Sequence, residues 1–223
     1  KKSYQNRNKF IKKWFLKPEK KLFMPDPDCM DITNEKFQEL SNITVRLVED
    51  SDLGKKSMCP ILSVHYLEFD ESFMPGDIKH AVIVIDSGMS NTEDKYETIK
   101  TIGQICFTKK WFPVAVFMAA ETWMSIVDSM DKYDPDILPS ENPNRKECIV
   151  IHGRTTGGDC KIGVMIPLAR DKDLNMIRGG ENKVFKEMDT YLLNHFFWGF
   201  FEKIAGKGKD EDIRSIPGPS GRE

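Results

Sequence analysis

The chain has 223 residues, 39% apolar and 30% charged, enough hydrophobic material for a core of ordinary size under a well-solvated surface. No apolar run approaches the ~18–20 residues that a membrane-spanning helix needs, so no membrane partner is expected. Net charge is −2, yet residues 1–21 hold nine basic side chains and one acid, a sum of +8, and the other 202 residues carry 24 basic and 34 acidic groups, a sum of −10. A basic arm therefore precedes an acidic body.

The five cysteines (Cys29, Cys59, Cys106, Cys148, Cys160) contain no Cys-x-x-Cys pair. An odd, scattered set argues against a disulfide framework or a zinc site, and for reduced, largely buried thiols. Such a set fits a cytoplasmic protein, or a virion-associated one if the origin is viral. The first residue is Lys1, so a signal or targeting segment upstream stays open.

Residues 1–32 read as a basic aromatic arm. Lys9, Lys12 and Lys13 stand beside Trp14 and Phe15, and Pro18, Pro25 and Pro27 forbid a long helix. Lysines neutralise phosphates and aromatic rings stack on bases, so the composition suits nucleic acid. It also suits an acidic protein surface, this chain's own body included, and the scarcity of arginine favours that reading over nucleic acid.

The body, 33–177, begins with a helix over 33–49. Phe37, Leu40, Thr44, Leu47 and Val48 recur at three- and four-residue spacing, and Thr33 or Asn34 supplies a cap. Residues 60–69 read as a strand apolar on both faces, hence covered on both sides. Residues 79–86 form the clearest apolar strand, expected to be buried. Ser90-Asn91-Thr92-Glu93 reads as a capping box opening a helix with Tyr96, Ile99, Ile102 and Cys106 on one stripe. Gly103 lies beside that stripe and suggests close packing. Pro113 is expected to end this helix, and a strand follows over 114–120. A strand–helix–strand unit of this length normally lays its strands parallel and adjacent, with the helix across one face.

A proline-containing loop, 126–146, leads to strands over 147–153 and 160–168, joined as a hairpin by Thr155-Thr156-Gly157-Gly158-Asp159. Pro167 points to an edge or to fraying. After Gly179-Gly180, a helix is expected over 182–204 within a segment 181–205. It carries Phe196, Phe197, Trp198, Phe200 and Phe201, apolar nearly all round, so it must pack on its own core, a second copy or a partner. Residues 206–223 read as a disordered tail. The expected class is α+β: a mixed sheet of about five strands, in the order α-β-β-α-β-β-β, with an aromatic C-terminal helix.

Ala120-Glu121-Thr122-Trp123-Met124 and Pro139-Ser140-Glu141-Asn142-Pro143-Asn144-Arg145-Lys146-Glu147 together resemble a group of small α/β proteins of bacterial and phage genomes. The resemblance covers roughly residues 60–168. It implies the element order given above and a microbial or viral origin. The group has no established activity, so it transfers no catalytic residue.

Three candidate sites follow from the residues themselves. The turn Asp86–Thr92 precedes a helix start, where free N–H groups attract anions, but no phosphate-loop or dinucleotide pattern accompanies it. Asp86 and Glu121, each near the end of an apolar strand, would meet at a common rim if the two strands lie side by side, and His152 could join them as a base. Two carboxylates and an imidazole could serve a small-molecule hydrolase. The ordinary alternative is a carboxylate holding the long loop through backbone N–H groups or Arg145. The four histidines show no metal spacing, and neither a Gly-x-Ser-x-Gly elbow nor a cofactor motif is present. The leading expectation is a non-enzymatic interaction or assembly protein whose terminal segments contact a protein partner or a second copy. Nucleic-acid binding through the arm and the hydrolase reading are the alternatives.

Overall fold

The computed structural model describes residues 30–68, 76–86, 91–125, 141–142, 145–186 and 191–204. The elements are α1 (Asn34–Asp52), β1 (Ile61–Leu67), β2 (Lys79–Val84), α2 (Thr92–Thr108), β3 (Phe112–Ser125), β4 (Arg145–Thr155), β5 (Lys161–Arg170), β6 (Met176–Arg178), β7 (Lys183–Phe185) and α3 (Tyr191–Ile204). The fold is α+β. Its sheet has seven strands, two more than expected, and runs β2-β1-β3-β4-β5-β6, with β7 also paired to β5.

Among the described residues every strand pair is antiparallel, which corrects the expectation of a mixed sheet. β2 and β3 do run in the same direction, as a crossover requires. They are not adjacent, however: β1 lies between them and pairs antiparallel with both. The burial pattern gives the physical reason. All seven residues of β1 are buried, whereas β2 alternates between exposed and half-buried. The strand with apolar side chains on both faces takes the interior position, where both faces are covered. β2, expected to be buried, is an edge strand. A short apolar run does not by itself distinguish the two situations.

One face of the sheet is covered by α1 and the other by α2 and α3. Thr33 caps α1 by accepting from the backbone N–H of Lys36 at 3.2 Å. Phe37 then stacks on Phe117 of β3, with ring centroids 5.2 Å apart. Gly153, opposite Phe117 on β4, leaves the room that this ring occupies. On the other face Ile99, Ile102 and Cys106 of α2 join Leu193, Phe196 and Phe200 of α3 in the same core.

α2 is capped by Asn91, whose side chain accepts from Asp94 N–H at 2.9 Å, one residue later than the expected serine cap. Its other end closes well before Pro113. Lys110 adopts φ 58°, and Lys110 and Trp111 donate to the carbonyls of Phe107 and Cys106, each at 2.9 Å. These two bonds satisfy carbonyls that a helix end otherwise leaves open. Pro113 is instead the second residue of β3.

The expected helix over 182–204 is shorter. Residues Lys183–Phe185 are β7, and the helix spans Tyr191–Ile204. Phe185 continued the apolar spacing of the helix by chance, while the edge of β5 offered backbone partners to Lys183–Phe185. Pro167 lies in the break between β7, which pairs with Gly163–Met165, and β6, which pairs with Leu168–Arg170. Residues 1–29 of the expected arm 1–32, most of the long loop and the tail 206–223 lie outside the described residues.

α2 and α3 cross at a pair of glycines. A Cβ on Gly103 would fall on the carbonyl oxygen of Phe196, and one on Gly199 would fall on that of Lys100. Backbone meets backbone there, and neither carbonyl can retreat without bending its helix. Gly103→Ala is expected to lower stability by about 3 kcal/mol through overpacking, against within about 0.5 kcal/mol for Thr101→Ala on the exposed side of the same helix. Urea unfolding of both variants checks this; equal effects would contradict the crossing.

Candidate functional site

The sequence-predicted trio does not assemble. Ile61 faces Val84 on one side and Ala119 on the other, so Asp86 and Glu121 lie level, each two residues further toward one rim. The segment entering β1 separates them, and two strand spacings amount to about 10 Å. His152 faces Met118 on β3, whereas Glu121 faces Ile149 on β4. Side chains alternate along a strand, so His152 belongs to the face covered by α2 and α3 and Glu121 to the face covered by α1.

Glu121 lies within β3 rather than at its end, and its carboxylate is engaged. Oε1 accepts from Arg170 Nη2 at 2.7 Å, and Oε2 accepts from the backbone N–H of Met58 at 3.2 Å. Arg170 also grips Glu147 through two nitrogens, Nε at 3.0 Å and Nη2. Its Nη1 donates to the carbonyls of Lys56 and Leu174, the latter at 3.2 Å. One guanidinium thus ties β3, β4, the entry to β1 and the turn after β5 together. The Arg170 hydrogen bond holds the Glu147 carboxyl below its usual range, and Glu147 in turn raises Arg170. Holding backbone is what this arrangement does. The expected tether was a carboxylate holding the long loop through backbone N–H groups or Arg145; Glu121 instead takes the N–H of Met58 and Arg170, and Arg145 lies over the Trp123 ring at 5.0 Å. Trp123 faces Glu147 and Met124 faces Lys146 across β3 and β4 beside this cluster.

A second polar cluster lies under α1. Ser63 Oγ is 2.7 Å from His80 Nε2, 3.4 Å from His65 Nε2 and 3.2 Å from Thr44 Oγ1. The His65 and His80 rings stack at 4.5 Å. A serine 2.7 Å from an imidazole has nucleophile–base spacing, but Ser63 is 0% exposed and His65 1%. A substrate carbonyl cannot reach that oxygen without displacing α1. The alternation that put Ser63 and His65 on one face of β1 was the available signal, and it says nothing about His80, which arrives from β2.

The third constellation is on the outer side of α3. Tyr96 of α2 stacks on His195 with ring centroids 4.1 Å apart, and Tyr191 meets both rings edge-on. Trp198 is tilted toward His195, and Lys100 Nζ lies 5.7 Å from the indole centre while pairing with Glu202 at 3.0 Å. Tyr191 is 53% exposed and Trp198 60%. Of the helix residues expected to contact a partner, Phe196, Phe197 and Phe200 are buried in this chain's own core and Phe201 is half-buried; Trp198 stands in solvent. Tyr191, His195 and Trp198 follow at four- and three-residue spacing, a signal present in the sequence but hidden by the phenylalanines between them. The arm residues Lys9, Lys12, Lys13, Trp14 and Phe15 lie outside the described residues.

Among the described residues no group of three or more His, Cys, Asp or Glu side chains could hold a metal ion, and no helix is long and apolar enough to cross a membrane. Burial pushes the Cys106 thiol up to about 12 and the Cys148 thiol to about 11. No family model, curated protein or solved structure matches the chain.

Burial, with His80 and Lys36 adding to it, pushes His65 down to about 3. The unfolded chain, with His65 near 6.5, therefore binds the proton more readily than the folded one. The neutral ring's contribution is present above pH 6.5 and is lost as pH falls from there toward 3, by about 2 kcal/mol between pH 7 and pH 5. His65→Gln keeps a hydrogen-bonding side chain but cannot titrate. Its unfolding free energy should fall less steeply than that of the native chain over that interval, and parallel profiles would contradict the burial of a neutral His65.

Proposed function

We propose that the chain is a non-enzymatic interaction or assembly protein, with the outward face of α3 as a contact surface. The observation that carries this reading is the pair of exposed rings, Tyr191 and Trp198, held in place by Tyr96, His195 and Lys100. Large aromatic rings in solvent, pre-ordered by their neighbours, are typical anchors of protein contacts because little side-chain entropy is lost on binding. The polar groups that might otherwise support catalysis hold backbone, as around Arg170, or are sealed beneath α1, as with Ser63. The role of the terminal segments changes accordingly. Most of the phenylalanines of α3 build the fold, and its polar-aromatic side makes the contact.

A photoreactive phenylalanine analogue at position 198, irradiated in cells of the protein's own origin, should yield protein adducts of fixed mass. Replacing Tyr191 with Ala should lower their yield at least several-fold, as loss of an anchor worth about 1–2 kcal/mol would. Adducts only to nucleic acid or lipid, or none at all, would contradict the reading.

A further inference from the structure

The two edges of the sheet differ. On the far side, β6 and β7 are three residues each, separated by Gly179-Gly180. Short, interrupted edge strands discourage pairing with another chain. On the near side β2 is an unbroken six-residue strand, His80-Ala81-Val82-Ile83-Val84 after Lys79, without proline. Among the described residues no strand lies beyond it.

The orientation of β2 is fixed by its inner partner. Ile85 N–H donates to the carbonyl of Pro60 at 2.8 Å. In an antiparallel ladder alternate residues turn their backbone groups to the same side. Lys79, Ala81, Ile83 and Ile85 therefore address β1, and His80, Val82 and Val84 present N–H and C=O outward. Their side chains share the α1 face of the sheet. Val82 is 39% exposed and Val84 60%. The His80 ring is immobilised by the His65 stack and by Ser63.

We infer that β2 pairs antiparallel with β2 of a second copy about a twofold axis at Ile83, making one continuous sheet across the dimer. This pairing goes beyond the α3 contact surface: it uses a different part of the molecule, with a second copy as the partner there. The axis stands perpendicular to the sheet, so α1 of both copies covers the same side. In this register Val82 lies opposite Val84 of the second copy on the α1 face, so exposed apolar side chains meet apolar ones. The residues facing one another are those whose backbone groups point outward, giving about eight hydrogen bonds along the seam. A shift by one residue would set outward groups against inward ones and break the match of faces. Lys79, already paired with Glu68, stays at the margin.

Sedimentation velocity across about 1–300 µM tests the inference by mass action. The native chain should pass from monomer to dimer. Val82→Glu with Val84→Glu, and Val82→Lys with Val84→Lys, should each stay monomeric, since like charges would face across the seam. An equimolar mixture of the two should form a one-to-one heterodimer. The substitutions are at exposed side chains, and thermal melts by circular dichroism confirm folding. As a check that needs no charged variant, Ile83→Cys in a Cys59→Ser background should oxidise to a disulfide-linked dimer, because residues on the axis approach to about 4.5 Å between Cα atoms. A native chain that stays monomeric throughout, or an Ile83→Cys chain that gives no disulfide dimer, would overturn the inference. Charged variants that dimerise like the native chain would also overturn it, yet would leave the α3 contact surface standing, since that is read independently from adducts at position 198.

Discussion

Two glycines facing one another determine what this molecule shows to its surroundings. At Gly103 and Gly199 the backbones of α2 and α3 approach so closely that a methyl group on either would meet a carbonyl of the other helix. That approach fixes the rotation of α3. Leu193, Phe196 and Phe200 turn inward to the sheet, and Tyr191 and Trp198 turn outward. A helix apolar nearly all round has no intrinsic preference for which side it buries. The crossing makes the choice, because only the side bearing Gly199 can come that near to α2.

The sheet is organised by a similar competition. β1 carries apolar side chains on both faces and takes the interior, which leaves β2 at the edge with Val82 and Val84 in water. Two sets of polar groups join segments that are distant in the chain. Arg170 gathers Glu121, Glu147 and the carbonyls of Lys56 and Leu174 at one rim. Thr44, Ser63, His65 and His80 satisfy one another beneath α1. Breaking the second set would leave buried hydroxyl and imidazole groups unsatisfied, which costs more than the bonds contribute when intact. These side chains hold the fold together and leave contact with other molecules to the surface.

Much of the fold was legible in the sequence. Local rules located α1, α2, the β4–β5 hairpin and the cores of five strands, since periodicity and turn chemistry act within a few residues. The order of strands was not legible, because whether β1 inserts between β2 and β3 depends on which strand gains more from two-sided burial. β6 and β7 escaped because three-residue strands carry no period, and Lys183–Phe185 happened to extend a helical stripe. For the candidate site, the same-face placement of Ser63 and His65 could be read from alternation, while the arrival of His80 and Arg170 depended on pairings between distant segments. Asp86 and Glu121 lie level on the sheet, but the insertion of β1 between β2 and β3 keeps them apart.

The central claim is that α3 belongs to the fold and offers only its outer side. Native-state amide hydrogen exchange at a concentration low enough to keep the chain monomeric tests it most directly. The account predicts that the amides of Leu193–Phe200 open only with the whole molecule, as slowly as those of Val114–Ala119 in β3. Exchange of the α3 amides at free energies well below those of β3 would show the helix undocking by itself, and would contradict the account.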